Sequence, residues 1–213
     1  MGFESFRRVL ALSPHTDDVE IGCGATLARM KAAGADIRSV AFSAAEESVP
    51  EGLPKDVLRK EFVRAQHELG IGADACEVLD FRVRYFPRDR QDVLEVLVKL
   101  NRTYQPDLVL VPSANDTHQD HKTVAEEAYR AFKRTSIWAY EVPWNQPLSQ
   151  LNGFVAIEEV HLQRKLAAVG AYESQRHRSY VSPEFVRSLA VVRGSQMGAP
   201  LAEGFEIVRS MHR

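Results

Sequence analysis

Five short apolar runs, separated by segments of helical periodicity, constrain this chain's fold more than any other feature. Val9-Leu10-Ala11-Leu12 and Leu108-Val109-Leu110-Val111 are the clearest. Uninterrupted apolar quartets of this kind have the pattern of a strand buried on both faces. Strands are expected at 8–13, 37–43, 76–81, 107–112 and 136–142. Helices are expected between them at 22–33, from the end of a polar loop (44–54) to Leu69, at 88–104 and at 120–133. Val93, Leu94, Leu97, Val98 and Leu100 make the apolar face of the third helix, and Asp120 is placed to cap the fourth. Strands alternating with helices of this length argue for an α/β fold: a Rossmann-like, doubly wound, mostly parallel sheet with helices on both faces. The last third is less regular and reads as a C-terminal elaboration, with strand candidates at 153–157 and 205–209 and helices at 159–172 and 183–192. No repeat, linker or low-complexity stretch divides the chain, so residues 1–213 read as a single domain.

Core packing does not account for two polar clusters at strand ends. Pro14-His15-Thr16-Asp17-Asp18-Val19-Glu20 follows the first run, and His118-Gln119-Asp120-His121 follows the fourth. In a sheet of order 3-2-1-4-5 the first and fourth strands are neighbours, and the winding direction reverses between them. Ligands bind outside the C-terminal ends of the strands at that point. Clusters about a hundred residues apart are therefore expected to converge.

The residue types suit a metal. A catalytic zinc site takes three protein ligands from His and Asp/Glu and keeps one position open. His15 and Asp18 lie three residues apart, and His121, at the first turn of the fourth helix, supplies a third ligand from across the crevice. Asp17 is then free to act as general base. His118 is a candidate to stabilise an oxyanion or to protonate a leaving amine. Gly22 and Gly24 permit close backbone approach at the start of the first helix. Leu27 breaks the GxGxxG pattern, so a dinucleotide reading is poor.

Composition narrows the partners. A chain of 45% hydrophobic and 26% charged residues with a net charge of −2 gives no electrostatic reason to expect nucleic acid or an anionic membrane. No run approaches a transmembrane span, and MGFESFRRVL lacks the apolar core of a signal peptide. Arg7-Arg8 leads directly into the first strand, which argues against a myristoylation signal. Cys23 and Cys76 are too few for a disulfide framework. A cytoplasmic location is expected.

PHTDDVEIGCGATLARM after the first strand, HQDH after the fourth and the terminal AEGFEIVR resemble the PIG-L/LmbE-type zinc-dependent N-deacetylases, and the resemblance runs the full length of the chain. It implies Zn2+ bound by His15, Asp18 and His121, with Fe2+ as the alternative metal, Asp17 as base and His118 as its electrostatic partner. It also implies hydrolysis of an N-acetyl group on an N-acetylglucosamine-type sugar or glycoconjugate, with a small saccharide as partner and homo-oligomerisation left open. Thr16 and Gln119 stand where the family usually has proline, which suggests a looser first loop. Two alternatives remain: a zinc amidase or esterase acting on a non-sugar acyl group, and an inactive sugar-binding relative. A receiver-domain reading of the paired acids fails, because the third strand ends in Phe81-Arg82-Val83-Arg84. A two-histidine, one-carboxylate iron oxygenase would sit on an all-β barrel.

Substrate contacts are expected from Arg82, Arg84 and Tyr85, which follow the third strand. Near the fifth, Tyr140, Glu141 and Trp144 either stack on a sugar or close the core. His177, within Gln175-Arg176-His177-Arg178, either meets an anionic substrate or faces solvent. Cys23 reads as core and His67, Arg59 and Arg64 as exposed. His161 and His212 stand alone.

Overall fold

Along β1 (Arg8–His15) successive side chains enter two different cores. Val9 and Ala11 face one, and Leu10 and Leu12 face the other. This is the two-sided burial that a continuous apolar run demands. The computed structural model describes residues 6–211. After β1 come α1 (Asp18–Ala32), β2 (Asp36–Ser43), α2 (Val57–Glu68), β3 (Cys76–Val78), α3 (Arg90–Tyr104), β4 (Leu108–Pro112), α4 (Gln119–Ala131) and β5 (Ser136–Tyr140). The chain closes with β6 (Gly153–Ala156), α5 (Glu159–Gly170), α6 (Pro183–Met197) and β7 (Ala202–Arg209). His212 lies outside the described residues.

The seven strands run in the order β3-β2-β1-β4-β5-β7-β6. The first five are parallel, and β7 lies antiparallel between β5 and β6. α3 and α4 pack together on the core that holds Leu10, Leu12, Val109 and Val111. α1, α2, α5 and α6 cover the opposite core. The fold is the expected α/β sheet with helices on both faces, and β1 and β4 are neighbours. No helix among the described residues is long and apolar enough to cross a membrane.

The strands and helices expected in the last third are present, and β7 and β6 extend the sheet. Two expectations are corrected. Val98 points to solvent at 45% exposure, while Val93, Leu94, Leu97 and Leu100 form the buried face. α1 begins at Asp18 rather than near Gly22, so Asp17 is its N-cap and Asp18 its first residue.

Buried throughout most of its length, α1 is broken at Cys23, whose backbone (φ −146°, ψ 23°) is not helical. Such a break leaves N–H groups of the next turn without partners. Glu203 of β7 accepts two of them, from Ala25 (3.2 Å) and Thr26 (2.6 Å), and is itself neutralised by Lys165 of α5 at 2.6 Å. Cys23 is wholly buried, as core. One residue earlier, Gly22 lies against Tyr140, and a Cβ there would fall 2.3 Å from the ring. That ring is fully buried and tied to the Leu12 carbonyl at 2.9 Å, so it has nowhere to go. Tyr140 is therefore part of the core. Gly22→Ala should cost about 1–3 kcal/mol through overpacking, read as a lower midpoint in urea unfolding.

Candidate metal centre

The C-terminal ends of β1 and β4 bring both clusters to one cavity of about 300 Å³. His15 ends β1, Asp17 and Asp18 open α1, and His118 and His121 belong to the start of α4. Three donors form a tight triangle. His15 Nδ1 lies 3.2 Å from His121 Nε2 and 3.5 Å from Asp18 Oδ2, and His121 Nε2 lies 3.3 Å from Asp18 Oδ1. A tetrahedral zinc with ligands at about 2.0–2.1 Å has ligand–ligand edges of about 3.3–3.4 Å. The spacings are close to those edges, with Asp18 presenting Oδ2 to His15 and Oδ1 to His121. Nitrogens of His15, His118 and His121 also lie within 4.8 Å of one another. This second trio is looser, and His118 Nδ1 already accepts the Asp120 N–H at 3.2 Å. The set with Asp18 is the better fit.

Each ring nitrogen facing away from the triangle has a carboxylate. His15 Nε2 meets Asp120 Oδ2 at 3.0 Å, and His121 Nδ1 meets Asp116 Oδ2 at 2.7 Å. Such backing fixes the tautomer and strengthens the histidine as a ligand. Both acids are buried and held in turn: Asp116 accepts the His118 N–H at 2.7 Å, and Asp120 accepts those of Arg84 (2.6 Å) and Phe86 (3.3 Å). Arg84 reaches it from a left-handed backbone, φ +72°, a conformation that costs a non-glycine residue of order 1 kcal/mol or more. Asp120 therefore does not cap α4 as expected. His118 takes the N-cap position, and the Asp120 carboxylate turns to His15. Asp116 escaped sequence reasoning. Its position five residues before His121, in a loop, was the available signal.

The electrostatics follow from burial and crowding. Burial alone would lower the His15 pKa, but hydrogen bonds to Asp120 and Asp18 outweigh it and hold the ring up to about 10. Burial opposes the ionised form of Asp18, but His121 and His15 hold it below the usual carboxylate range. Burial and then the Asp18 charge push Asp17 up to about 6. Burial, reinforced by His15 and His121, depresses His118 to about 4. With its Nδ1 accepting a backbone N–H, a neutral His118 carries its proton on Nε2, as a donor.

The first loop is not loose despite Thr16. The Tyr172 hydroxyl donates to the Thr16 carbonyl, His15 N–H donates to Asp18 Oδ2 at 2.7 Å, and Val19 N–H donates to Ser13 Oγ at 3.1 Å. Glu20, wholly buried beside Gln66 and Tyr172, is pushed by burial up to about 8.

Of the expected substrate contacts, only Trp144 lines the cavity, stacked on Tyr180 at 3.9 Å. Arg82 and Arg84 lie outside that lining, where both pair with Glu47. Tyr85 is covered by the Arg82 and Arg88 guanidinium groups. It is Val83, between the two arginines, that faces the cavity. His177 is exposed and outside the lining, and its neighbour Arg178 lines the cavity instead. Glu141 is held by Arg193 at 2.6 and 2.7 Å, and His161 completes a capping box with Glu158. His67 is exposed.

With this geometry, the chain resembles several known proteins. It is 26% identical to the diacetylchitobiose deacetylase of Thermococcus kodakarensis, over 97% of this chain and 85% of that protein. The structure superposes on N,N'-diacetylchitobiose deacetylase from Pyrococcus horikoshii with a TM-score of 0.80 at 23% identity, covering 97% of this chain and 85% of the other. It superposes equally well, at 0.80 and 22% identity over 97% and 98% of the two chains, on 4-carboxy-2-hydroxymuconate hydratase from Pseudomonas putida. The fold alone thus accompanies more than one chemistry. The family model described as PIG-L, GlcNAc-PI de-N-acetylase, matches residues 10–132, more than half of the 213 residues, and the chain belongs to that family.

Proposed function

We propose that this protein is a zinc-dependent hydrolase that removes the N-acetyl group from an N-acetylglucosamine-type sugar or glycoconjugate, acting as one domain in the cytoplasm. The observation that carries this reading is the triangle of His15, Asp18 and His121, with edges of 3.2–3.5 Å, opening on a cavity that also holds Asp17 and His118. The deacetylase relative supports an acetylated sugar as substrate. The same donors suit Fe2+, but borderline-soft nitrogen donors with one carboxylate match zinc well.

His15 Nδ1, Asp18 and His121 Nε2 would hold the metal. When bound, it supplies Lewis acidity, polarising the acetyl carbonyl and lowering the pKa of water. Asp17 takes a proton from the attacking water as the new C–O bond forms at the carbonyl carbon. His118 donates its Nε2–H to the oxyanion. As the C–N bond breaks, Asp17 returns the proton to the leaving nitrogen, and acetate and a free amine result. Asp120 and Asp116 keep the two ligand histidines in their working tautomers.

Three variants test these roles. Asp18→Ala should lose zinc from the folded protein, measured by elemental analysis, and full occupancy would refute the ligand set. Asp17→Asn keeps the shape but removes the proton acceptor. It should retain zinc and slow acetate release from N-acetylated sugars by about 10²–10⁴. Turnover within a few-fold of wild type would remove Asp17 as base. Asp116→Asn should weaken zinc binding by about 10–100-fold in a chelator competition without unfolding the chain.

A further inference from the structure

Hydrogen bonds to neighbouring residues aim every titratable side chain of the site but one. Asp120 backs His15, Asp116 backs His121, Asp18 accepts the His15 N–H at 2.7 Å, and His118 accepts the Asp120 N–H. Asp17 hydrogen-bonds to no side chain among the described residues, and although it is the N-cap of α1 its carboxylate does not cap the helix. Its direction is therefore set by the backbone that carries it. On one side the Asp17 carbonyl accepts the Ile21 N–H at 3.2 Å, in the first turn of α1. On the other, the carbonyl of the Thr16–Asp17 peptide receives the Tyr172 hydroxyl. Thr16 and Tyr172 are both buried, where a carbonyl left unpaired is costly. Tyr172 follows α5, and its oxygen also meets Glu20 Oε1 of α1 at 2.9 Å, the atom to which Gln66 of α2 donates at 2.7 Å. Glu20 and Gln66 are wholly buried too, so the hydroxyl has no room to turn to solvent. None of these three residues lines the cavity.

We infer that Tyr172 is a positioning residue for the proposed reaction: its hydroxyl, braced by Glu20 and Gln66, fixes the plane of the Thr16–Asp17 peptide and so the direction of the Asp17 carboxylate, without touching substrate. A displacement of about 1 Å in a reacting group can cost about 10²-fold in rate. The proposed metal ligands have restraints of their own, so they do not depend on this bond. The inference rests on the reading of Asp17 as the base of a deacetylase.

Tyr172→Phe removes only the hydroxyl. Zinc content and the circular dichroism spectrum should stay at wild-type values, while kcat for acetate release falls about 10- to 100-fold with KM within about twofold. In an Asp17→Asn background the same substitution should cost nothing further, because a residue acting through Asp17 has nothing left to position. Replacing Tyr172 by 4-aminophenylalanine, which returns an N–H donor on the same ring, should recover part of the rate, and it stands in if Tyr172→Phe does not fold. Crystal structures of the zinc-loaded proteins give a reading apart from turnover: the Asp17 carboxylate should be displaced or split in Tyr172→Phe while His15, Asp18 and His121 superpose on wild type. An unchanged kcat, a loss that adds in full to that of Asp17→Asn, or a loss of zinc in place of rate overturns the assignment. If the wild-type protein releases no acetate from any N-acetylated sugar, the deacetylase reading falls, and the position of Asp17 in the two crystals still decides the role of Tyr172.

Discussion

Two carboxylates that do not line the cavity determine what its histidines can do. Asp120 and Asp116 each occupy one ring nitrogen, at 3.0 and 2.7 Å, and so aim the other nitrogen of His15 and His121 at a common point. Without them either ring would be free to turn over or change tautomer, and the triangle with Asp18 would lose its shape. The demand propagates outward. Asp120 needs the N–H groups of Arg84 and Phe86, which fixes the loop after β3 and accepts a left-handed residue at Arg84. Asp116 needs the N–H of His118, which places that ring at the head of α4. The strained loop, the cap and the ligands are one connected arrangement.

The sheet makes this arrangement reachable. Parallel β1 and β4 lie side by side, so chain segments remote in sequence emerge at the same edge of the sheet. Leu10 and Leu12 pack with Val109 and Val111 on one face, and Val9 and Ala11 with Leu108 and Leu110 on the other. Burial on both sides leaves these strands little freedom to slip. The precision of the site comes from this two-sided packing, and loops contribute the donors.

Much of this was legible in the residues. Apolar quartets gave the central strands, because a run with no polar alternation has few other places to go. Histidines and acids at two strand ends gave the triangle, because the switch-point rule converts order along the chain into proximity. What escaped was decided by competition for hydrogen bonds. Asp120 reads as a helix cap, since aspartate before a helix usually is one, but His15 and two backbone donors claim its carboxylate. Arg82, Arg84 and Tyr85 follow the right strand, yet Glu47 and the neighbouring Arg88 draw them away from the cavity. His177 and Arg178 are adjacent, and pattern alone does not say which of two neighbours in a turn faces inward. β7 was recognised as a strand, but its antiparallel insertion between β5 and β6 is a tertiary pairing that no local pattern records.

That insertion has a consequence for the order in which the protein can assemble. The break in α1 at Cys23 is completed by Glu203, which lies 178 positions after the Ala25 N–H that it accepts. On a ribosome, β1, α1 and both polar clusters emerge long before residues 202–209 do. Until those last residues arrive, the N–H groups of Ala25 and Thr26 lack their acceptor, and Lys165 lacks its counter-charge. Contacts of such long sequence separation form late and slow the folding reaction. The helix that carries Asp18 is thus made early and finished last, and a nascent chain holds both polar clusters well before it holds the fold that fixes them.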